Sequence, residues 1–283
     1  MNKKIYFTTV AILFAIHSIA QTDKAYSCKY RYIWQKDASN KDSKFDDVMI
    51  LTIKNSNTIY YSYLKHFGYR NFETDQKNGI GKSNTTVSGN MVNVNGNSTN
   101  SGTYFIKNES EVIKINFFEK KINISDKLLE QVYGYETELE KPLWQIEKDT
   151  VTILNQSCQK AITTFKGRNF IAWFANAIPY KYGPWLFNGL PGLILKVEDE
   201  KKQFLWECIE LNTPNTTTKV FQEYAKIKMI SKKELKLKKK FYYEDTIGFM
   251  QLENGVTISV TDTKTGNPVQ KKQKSYNLID LTP

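Results

Sequence analysis

The segment GPWLFNGLPGLI, residues 183–194, combines aromatic, glycine and proline residues more densely than any other part of the chain. Pro191 fixes its own φ at about −65°, and Gly192 can take a positive φ without steric cost. A Pro-Gly pair is typical of a type II turn, whose second central residue has a positive φ. The segment therefore predicts a type II turn in which Gly192 has a positive φ.

Bulky apolar residues stand on both sides of the predicted turn. After it, apolar and polar residues alternate from Leu193 to Glu198, which is typical of a strand. Before it, the large side chains are too apolar to remain exposed and predict a plug at one end of a core. The segment is either a structural corner between strands or a ligand-facing loop with aromatic walls. The candidate residues for either role are Trp173, Trp185, Phe187, Gly189, Leu190, Pro191 and Gly192.

Short alternating runs occupy most of the remaining chain. Alternation with period two first occurs at Tyr26–Trp34 and recurs, between turn residues, as far as Leu211. Short strands and turn signals at this density predict an antiparallel β fold. Ser231 and Glu234 match a capping box, which predicts a helix over residues 232–240. Residues 83–102 are mostly Ser, Thr, Asn or Gly and predict a long loop or a pair of edge strands.

Residues 1–20 have the pattern of a secretory signal peptide. A basic start precedes the mostly apolar residues 5–16, and small residues occupy positions 18 and 20. We predict cleavage before Gln21, which leaves residues 21–283 as a single β domain without a transmembrane helix. A membrane span is the alternative, but the apolar run is shorter than the roughly 20 residues that a bilayer requires. The expected location is periplasmic, outer-membrane-associated or extracellular.

The chain is basic, with 40 Lys and Arg against 29 Asp and Glu and a formal net charge of +11 at pH 7. Such an excess can attract nucleic acid or an anionic surface. An exported protein seldom meets nucleic acid, and Lys far outnumbers Arg, so we expect no base-specific binding. We interpret the basic residues as solvated surface, with weak attraction to acidic lipid or glycan headgroups as the alternative.

Residue types that serve catalysis are scarce. Of the two histidines, only His66 follows the predicted cleavage site, and imidazole is the usual general base and a common zinc ligand. The three cysteines form no CxxC or Cys/His cluster, so we expect no metal site and no cofactor. In an oxidising compartment, one disulfide among Cys28, Cys158 and Cys208 with one odd thiol is the simplest arrangement. Their apolar strand positions suit burial as free thiols equally well.

Two groups of motifs can be compared with a known family. The first group is Trp144, CQKA (158–161), FKGR (165–168), AWF (172–174), Ile178-Pro179, GPW (183–185) and GLPGLI (189–194). Together these motifs resemble the GLPGLI family of exported bacterial proteins, best known from Bacteroidota. The second group, residues 276–281, is similar to the closing Asn-Pro-Ile-Glu-Leu of that family, with Leu278 for Pro and Asp280 for Glu. The sequence departs from the family at residues 155–157, where NQS replaces a Gly-Tyr and predicts a different entry into the next strand.

The resemblance implies a fold rather than an activity, because the family has no established activity. Its domain is similar to the bowl-shaped N-terminal domain of one kind of bacterial peptide:N-glycanase and, in outline, to the half-barrels of periplasmic lipoprotein carriers. The resemblance thus implies a mainly β fold with a curved antiparallel sheet or half-open, bowl-like barrel and one or two short helices. It also implies a concave face capable of holding a ligand.

Three functions fit these observations. The first is a non-catalytic binding or accessory protein whose aromatic-rich face holds an apolar, glycan or protein segment of the cell envelope. The second is a carboxylate-dependent hydrolase acting on glycans or envelope material. Its candidate acids are Asp199, Glu200, Glu136, Glu138, Glu140, Glu244 and Asp245. The third is a structural protein that contacts other envelope components through the polar segment 83–102 or the Lys-rich helix. We favour the first, for which no catalytic residue is predicted.

Overall fold

The structure is a computed structural model that describes residues 25–63, 85–88, 91–94, 110–212, 226–255 and 275–282. The predicted signal peptide, His66 and most of segment 83–102 lie outside these ranges. Within segment 83–102 the structure describes two short strands that pair with each other.

Strands dominate the described ranges, with two helices near the C-terminus. The strands are β1 (Tyr26–Gln35), β2 (Lys44–Lys54), β3 (Asn57–Ser62), β4 (Thr85–Ser88), β5 (Met91–Val94), β6 (Val112–Asn116), β7 (Lys121–Leu128), β8 (Gln131–Glu138), β9 (Gln145–Ile153), β10 (Gln156–Phe165), β11 (Arg168–Ala175), β12 (Leu193–Asp199), β13 (Phe204–Leu211) and β14 (Ile227–Met229). The helices are α1 (Lys232–Glu244) and α2 (Thr246–Asn254).

Twelve of these strands form one open sheet in the order β14-β8-β7-β6-β3-β2-β1-β13-β12-β11-β10-β9. Every pairing in it is antiparallel except that of β14 with β8. Within the described ranges, β4 and β5 form a separate two-stranded sheet. The prediction of a mainly β fold with a curved antiparallel sheet and one or two short helices is confirmed, the described ranges holding two helices.

Bulges bend the sheet towards one face. The pairing shifts register between Lys29 and Tyr30 where β1 meets β13, and between Trp173 and Phe174 where β11 meets β12. The pairing of β9 with β10 also shifts register, between Gln159 and Ala161. Because each bulge adds a residue to one strand only, it bends that strand and increases the local twist. The result is a sheet with a concave and a convex face.

The alternation seen in the sequence separates these two faces. On β1, Tyr30 and Trp34 belong to the main core cluster on the concave face and are at most 2 % exposed. Arg31 faces the other way and pairs with Asp46, both side chains being about half exposed. Such an exposed pair stabilises the fold by under about 1 kcal/mol, so burial of the aromatic rows is the larger contribution.

The GLPGLI segment belongs to a long connection, residues 176–192, that we call the plug. The plug links the neighbouring antiparallel strands β11 and β12, and it folds back over the concave face instead of turning tightly. Its backbone is fixed by hydrogen bonds from Gly189 N to Lys181 O (2.9 Å) and from Ile194 N to Tyr182 O (3.0 Å). The interpretation as a simple corner between strands is therefore too narrow.

The predicted type II turn at Pro191-Gly192 is wrong. The φ of Gly192 lies outside the left-handed region, whereas that of Gly189 is +94°. What requires glycine at position 192 is space: a Cβ there would stand 2.1 Å from the carbonyl oxygen of Ala175. Two stretches of backbone 17 positions apart touch at this point, and a sequence pattern cannot display that contact.

The helix prediction is correct in its start and incomplete in its extent. Ser231 caps α1 by accepting a hydrogen bond from Glu234 N at 3.1 Å, and the helix continues to Glu244. Asp245 then caps α2 by accepting from Gly248 N at 2.9 Å. The helix α2 and the three-residue strand β14 were not predicted. Asp245 before Thr246 was the available signal for α2, since Asp is a favoured N-cap residue.

We expect Gly192→Ala to lower the free energy of unfolding by about 3 kcal/mol or more, because the backbone at Ala175 cannot move away from the added methyl group. Denaturant melts measure this change. Gly255→Ala is the matched control: Gly255 has φ +64° with nothing near its Cβ position, so only about 1 kcal/mol of backbone strain is expected. Equal losses in the two variants would contradict the close approach at Gly192.

Candidate functional site

The last described segment, residues 275–282, crosses the concave face and is called the strap. It forms no helix or strand, and the rest of the chain holds it through side-chain and main-chain hydrogen bonds. The strap follows α2 in the sequence, after residues 255–274. Most of the residues that it contacts lie much earlier in the chain.

Arg168 holds the middle of the strap. Its guanidinium donates to the carbonyl oxygens of Leu278 (2.6 Å) and Ile279 (3.1 Å) and to Asn277 Oδ1 (2.8 Å). The side chain is only 6 % exposed and its guanidinium carbon lies 4.6 Å from the centre of the Phe204 ring. A buried guanidinium needs acceptors for its fixed fork of N–H groups, and the strap supplies three of them.

Acids and amides on the turn between β12 and β13 complete the surroundings of Arg168. Gln203 Oε1 accepts at 3.0 Å and Asp199 lies 3.4 Å away. Burial lowers the pKa of Arg168, and the neighbouring Asp199 opposes that shift. Asp199 also accepts from the backbone N–H groups of Gln203 and Phe204, both at 2.7 Å, so it holds the turn as well as the arginine.

The end of β1 holds the start of the strap. Asn277 N donates to Lys36 O at 2.7 Å, and its side-chain amide donates to Gln35 O at 2.8 Å. Trp34 Nε1 donates to Asn277 O at 3.2 Å. Asn277 is 6 % exposed, and these bonds use both its main-chain and its side-chain polar groups. Tyr276 stacks on Tyr243 of α1, with ring centres 4.6 Å apart and planes 10° from parallel.

The tight turn between β10 and β11 and the helix α1 hold the end of the strap. Leu281 N donates to Lys166 O at 2.9 Å, and a Cβ on Gly167 would stand 2.9 Å from Leu281 Cβ. Lys232 of α1 pairs with Asp280 at 3.1 Å. The FKGR motif and the closing motif, more than 100 residues apart, are therefore in direct contact.

A shallow aromatic depression lies beside the strap. It encloses a volume of about 30 Å³. Its main walls are Tyr32, Trp34, Tyr60, Trp185, Phe204 and Trp206. Asn277 and Ile279 of the strap form one side of it. A second cavity, of about 20 Å³, is lined in part by Asp280 of the strap.

A buried charge cluster borders the aromatic depression. Lys239 of α1 pairs with Glu111 at 2.8 Å and with Asp126 at 2.7 Å, and Ser110 donates to Asp126. The two carboxylates share one ammonium group, which fixes α1 on the sheet. Sequence reasoning missed this cluster, although Asp126 continues the apolar row of Ile122 and Ile124 on β7 and an acid in such a row predicts a buried partner.

The sequence-predicted plug residues are mostly buried in the core. Trp185 and Phe187 both pack on Trp206, with ring centres 6.2 and 5.5 Å away. Trp185 has a φ of +53°, an uncommon conformation for a bulky residue. Leu190 is 1 % exposed, Pro191 is exposed, and neither lines a cavity described above. Of the predicted residues, Trp185 borders the depression.

Trp173 lies apart from these residues. The alternation of β11 places it on the opposite face of the strand from Phe170 and Ala172, and it pairs in register with Lys160 and Lys196. It is only partly buried. The structure therefore does not bring Trp173 to the aromatic depression.

Six of the seven acids proposed for a hydrolase are engaged in structural contacts, Glu200 among them by accepting from Asn169 Nδ2 at 3.0 Å. Glu138, the seventh, is exposed. Glu136 pairs with Lys121 at 2.6 Å, Glu140 pairs with Lys166, and Asp245 caps α2. Asp199 holds a turn, as described above. Glu244 accepts a hydrogen bond from Tyr276 N at 3.1 Å and so anchors the strap.

The smaller cavity does carry two carboxylates, Glu140 and Asp280. Each is paired with a lysine, Lys166 and Lys232 respectively. A volume of about 20 Å³ is close to that of one water-sized site and leaves no room for a sugar ring. The geometry therefore gives no support to acid catalysis on a glycan at this cavity.

The three cysteines are buried free thiols on strands of the same core. Cys28 and Cys208 lie on the neighbouring strands β1 and β13, where Cys28 is paired with Leu211 and Cys208 with Tyr30. The neighbouring Cys208 thiol and burial raise the pKa of the Cys28 thiol well above its usual range. Burial raises the pKa of Cys158 to about 11. If a disulfide forms, Cys28 and Cys208 are the pair that the fold places together.

The part of the chain that carries the plug has a counterpart among known families. Residues 162–196 match a family model described as a protein of unknown function, Porph_ging. They include the FKGR motif, β11, the plug and the start of β12. None of the curated proteins matches the chain.

Solved structures of PNGF-II, in two crystal forms, are similar to the chain. Their sequence identity is 14 %, and the TM-scores are 0.48 and 0.47. The similar region covers 75 % of this chain and 32 % of the PNGF-II chain, so this chain spans about a third of the length of PNGF-II.

Two further findings concern the described ranges only. They contain no group of three or more His, Cys, Asp or Glu residues arranged to hold a metal ion. No helix in them is long and apolar enough to cross a membrane.

We expect the native thiols to be almost unreactive towards Ellman's reagent at pH 8, because each is at most 2 % exposed and the thiolate is the reactive form. Three thiols should react once guanidinium unfolds the protein. A count of one in the unfolded, unreduced protein would instead show a disulfide, and peptide mapping under non-reducing conditions would then identify it. Fast reaction of the native protein would contradict the burial of the thiols.

The strap should loosen in acid. Burial raises the pKa of Asp280, but the hydrogen bonds from Thr282 and the ion pair with Lys232 outweigh it, so its pKa is lowered overall. A carboxyl with a lowered folded-state pKa stabilises the fold above its unfolded pKa of about 3.9, and that stability is lost as pH falls through the folded pKa.

We therefore expect the stability lost between pH 6 and pH 3 to be smaller in Asp280→Asn than in the wild type, as measured by denaturant melts at both pH values. Asp42→Asn, an exposed change in the β1–β2 loop, is the control and should behave like the wild type. Hydrogen exchange of residues 276–282 should rise at pH 3 in the wild type. Identical pH profiles in the three proteins would contradict the role of Asp280.

Proposed function

We propose that this protein is an exported, non-catalytic binding or accessory protein of the cell envelope and a member of the GLPGLI family. The observation that carries the proposal is the concave face itself. Six aromatic side chains converge there beside the strap and one charge cluster, and six of the seven acids proposed for catalysis are engaged in structural contacts. Aromatic walls with a few fixed polar groups are typical of binding sites.

Export is supported by the N-terminal sequence pattern and by the family resemblance. A basic start, an apolar run and small residues at positions 18 and 20 fit a cleaved signal peptide. The match of residues 162–196 to Porph_ging includes most of the motifs that resemble the GLPGLI family. We propose a binding role for the region of this chain that is similar to PNGF-II. We do not propose that this chain has the activity of PNGF-II.

The two other functions have less support. A hydrolase needs two carboxylates beside an accessible cleft, and most of the acids described above are paired with lysines or hold turns and helix ends. An envelope contact through the Lys-rich helix needs free charges, yet Lys232, Lys238 and Lys239 form ion pairs within the chain. These three helix lysines are therefore engaged in ion pairs that hold α1 in the fold.

Native mass spectrometry of wild-type protein recovered from the envelope fraction of its own cells tests the proposal. We expect a polypeptide that begins at Gln21 and carries the additional mass of a non-covalently bound molecule. Loss of that mass in Tyr60→Ala, which removes one wall of the depression, would assign the ligand to this site. Phe118→Ser, at a side chain 86 % exposed in the β6–β7 turn, is the matched control and should retain the ligand.

Two outcomes would overturn the proposal. One is a polypeptide that retains Met1 and is found outside the envelope fraction. The other is a protein that is free of ligand after the mildest isolation and shows no tryptophan fluorescence change with envelope lipid, glycan or peptide fractions. Hydrolysis of any of these fractions by the wild type but not by a carboxylate variant would replace the proposal with the hydrolase.

A further inference from the structure

The strap is bound to the concave face in the way that a peptide ligand is bound. Its main chain uses donors at Asn277 and Leu281 and acceptors at Asn277, Leu278 and Ile279, all of them with partners outside the strap. No strand pairing and no helix connect it to its surroundings. Such main-chain contacts recognise any extended peptide, and specificity then comes from the side-chain positions.

We propose that this surface is a recognition groove for an extended, acidic peptide segment of a partner protein, and that the strap occupies it in the absence of that partner. The groove is formed by Trp34–Lys36 at the end of β1, by Lys166–Arg168 where β10 turns into β11, and by one side of α1. The proposal rests on the proposed binding function and names the class of ligand for that face.

Three side-chain positions of the strap define the peptide that fits. Tyr276 lies against Tyr243, and its ring meets Trp34 edge-on at 5.5 Å. The side-chain amide of Asn277 donates to Gln35 O and accepts from Arg168. Asp280 is placed at Lys232. The expected pattern is thus an aromatic residue, an Asn directly after it, and an acid three positions beyond the Asn.

The charge of the groove agrees with an acidic ligand. Arg168 and Lys232 contact the strap directly through their side chains, and Lys236 donates to its carbonyl oxygen at Thr282. The carboxylate of Asp280 pairs with Lys232. A partner segment with an acid at that position would keep the pairing, whereas a basic segment would place like charges together.

A partner must compete with the strap for the groove. The strap belongs to the same chain as the groove, so its effective concentration there exceeds that of a free peptide in dilute solution. Binding of a free peptide to the wild type is then weak even when the groove is intact. Weakening the strap without changing the groove should reveal the site.

The variant Asn277→Ala, in the full-length chain, weakens the strap alone because its lost amide belongs to the strap. The probe is a fluorescein-labelled synthetic peptide with the sequence of residues 275–283, SYNLIDLTP. We expect fluorescence polarisation to show at least tenfold tighter binding to Asn277→Ala than to the wild type. The same peptide with Ala in place of its Asn should bind at least tenfold more weakly than the original.

The double variant Asn277→Ala with Arg168→Lys is the groove control. Lysine retains the charge but lacks the fork that holds two carbonyl oxygens and the amide, so binding of the probe should be lost. Phe118→Ser is the surface control and should bind as weakly as the wild type does.

Thermal melts keep the test decisive if Asn277→Ala folds poorly. The free peptide should then raise the melting temperature of Asn277→Ala and leave that of the wild type unchanged. A folded Asn277→Ala that does not bind the peptide overturns the inference, and so does an unstable one that the peptide fails to stabilise. Either result leaves the proposed binding function intact if the wild-type protein carries a different ligand in native mass spectrometry.

Discussion

The buried guanidinium of Arg168 is the interaction on which most of the concave face depends. Removing a guanidinium from water is expensive unless its N–H groups find acceptors, and here they find them on two distant parts of the chain. Asp199 and Gln203 come from the β12–β13 turn, and the strap supplies the remaining oxygens. Arg168 thereby makes the strap, the β10–β11 turn and the β12–β13 turn depend on one another.

The curved sheet explains why a plug is needed at all. Bulges bend the twelve strands around a face lined by aromatic rows from β1 and β13. Such a face, left open, would expose far more apolar surface than a soluble monomer normally tolerates. The plug covers it with Trp185 and Phe187, and Trp185 reaches its position through a left-handed backbone conformation. The bowl is thus largely filled by its own chain, and what remains accessible is the surface along the strap.

The strands and the fold class were predictable from the sequence because they depend on local alternation. Period-two rows such as Tyr26–Trp34 predict one buried face, and the structure confirms them. The plug and the site were not predictable in the same way. Gly192 is required by the backbone of Ala175, and Lys239 is held by acids on β7 and just before β6. These contacts join residues distant in sequence, so no local period or motif contains them.

The chemistry of the groove favours a peptide over a sugar or an acyl chain. The aromatic depression encloses only about 30 Å³, room for roughly two water molecules. The polar groups beside it, in contrast, are spaced along an extended backbone: Trp34 donates to Asn277 O, Arg168 to Leu278 O and Ile279 O, and Lys166 O accepts from Leu281 N. A series of donors and acceptors that matches consecutive peptide units serves main-chain recognition. A ring of hydroxyl groups would leave several of these buried groups unpaired, at a cost of about 1–3 kcal/mol each.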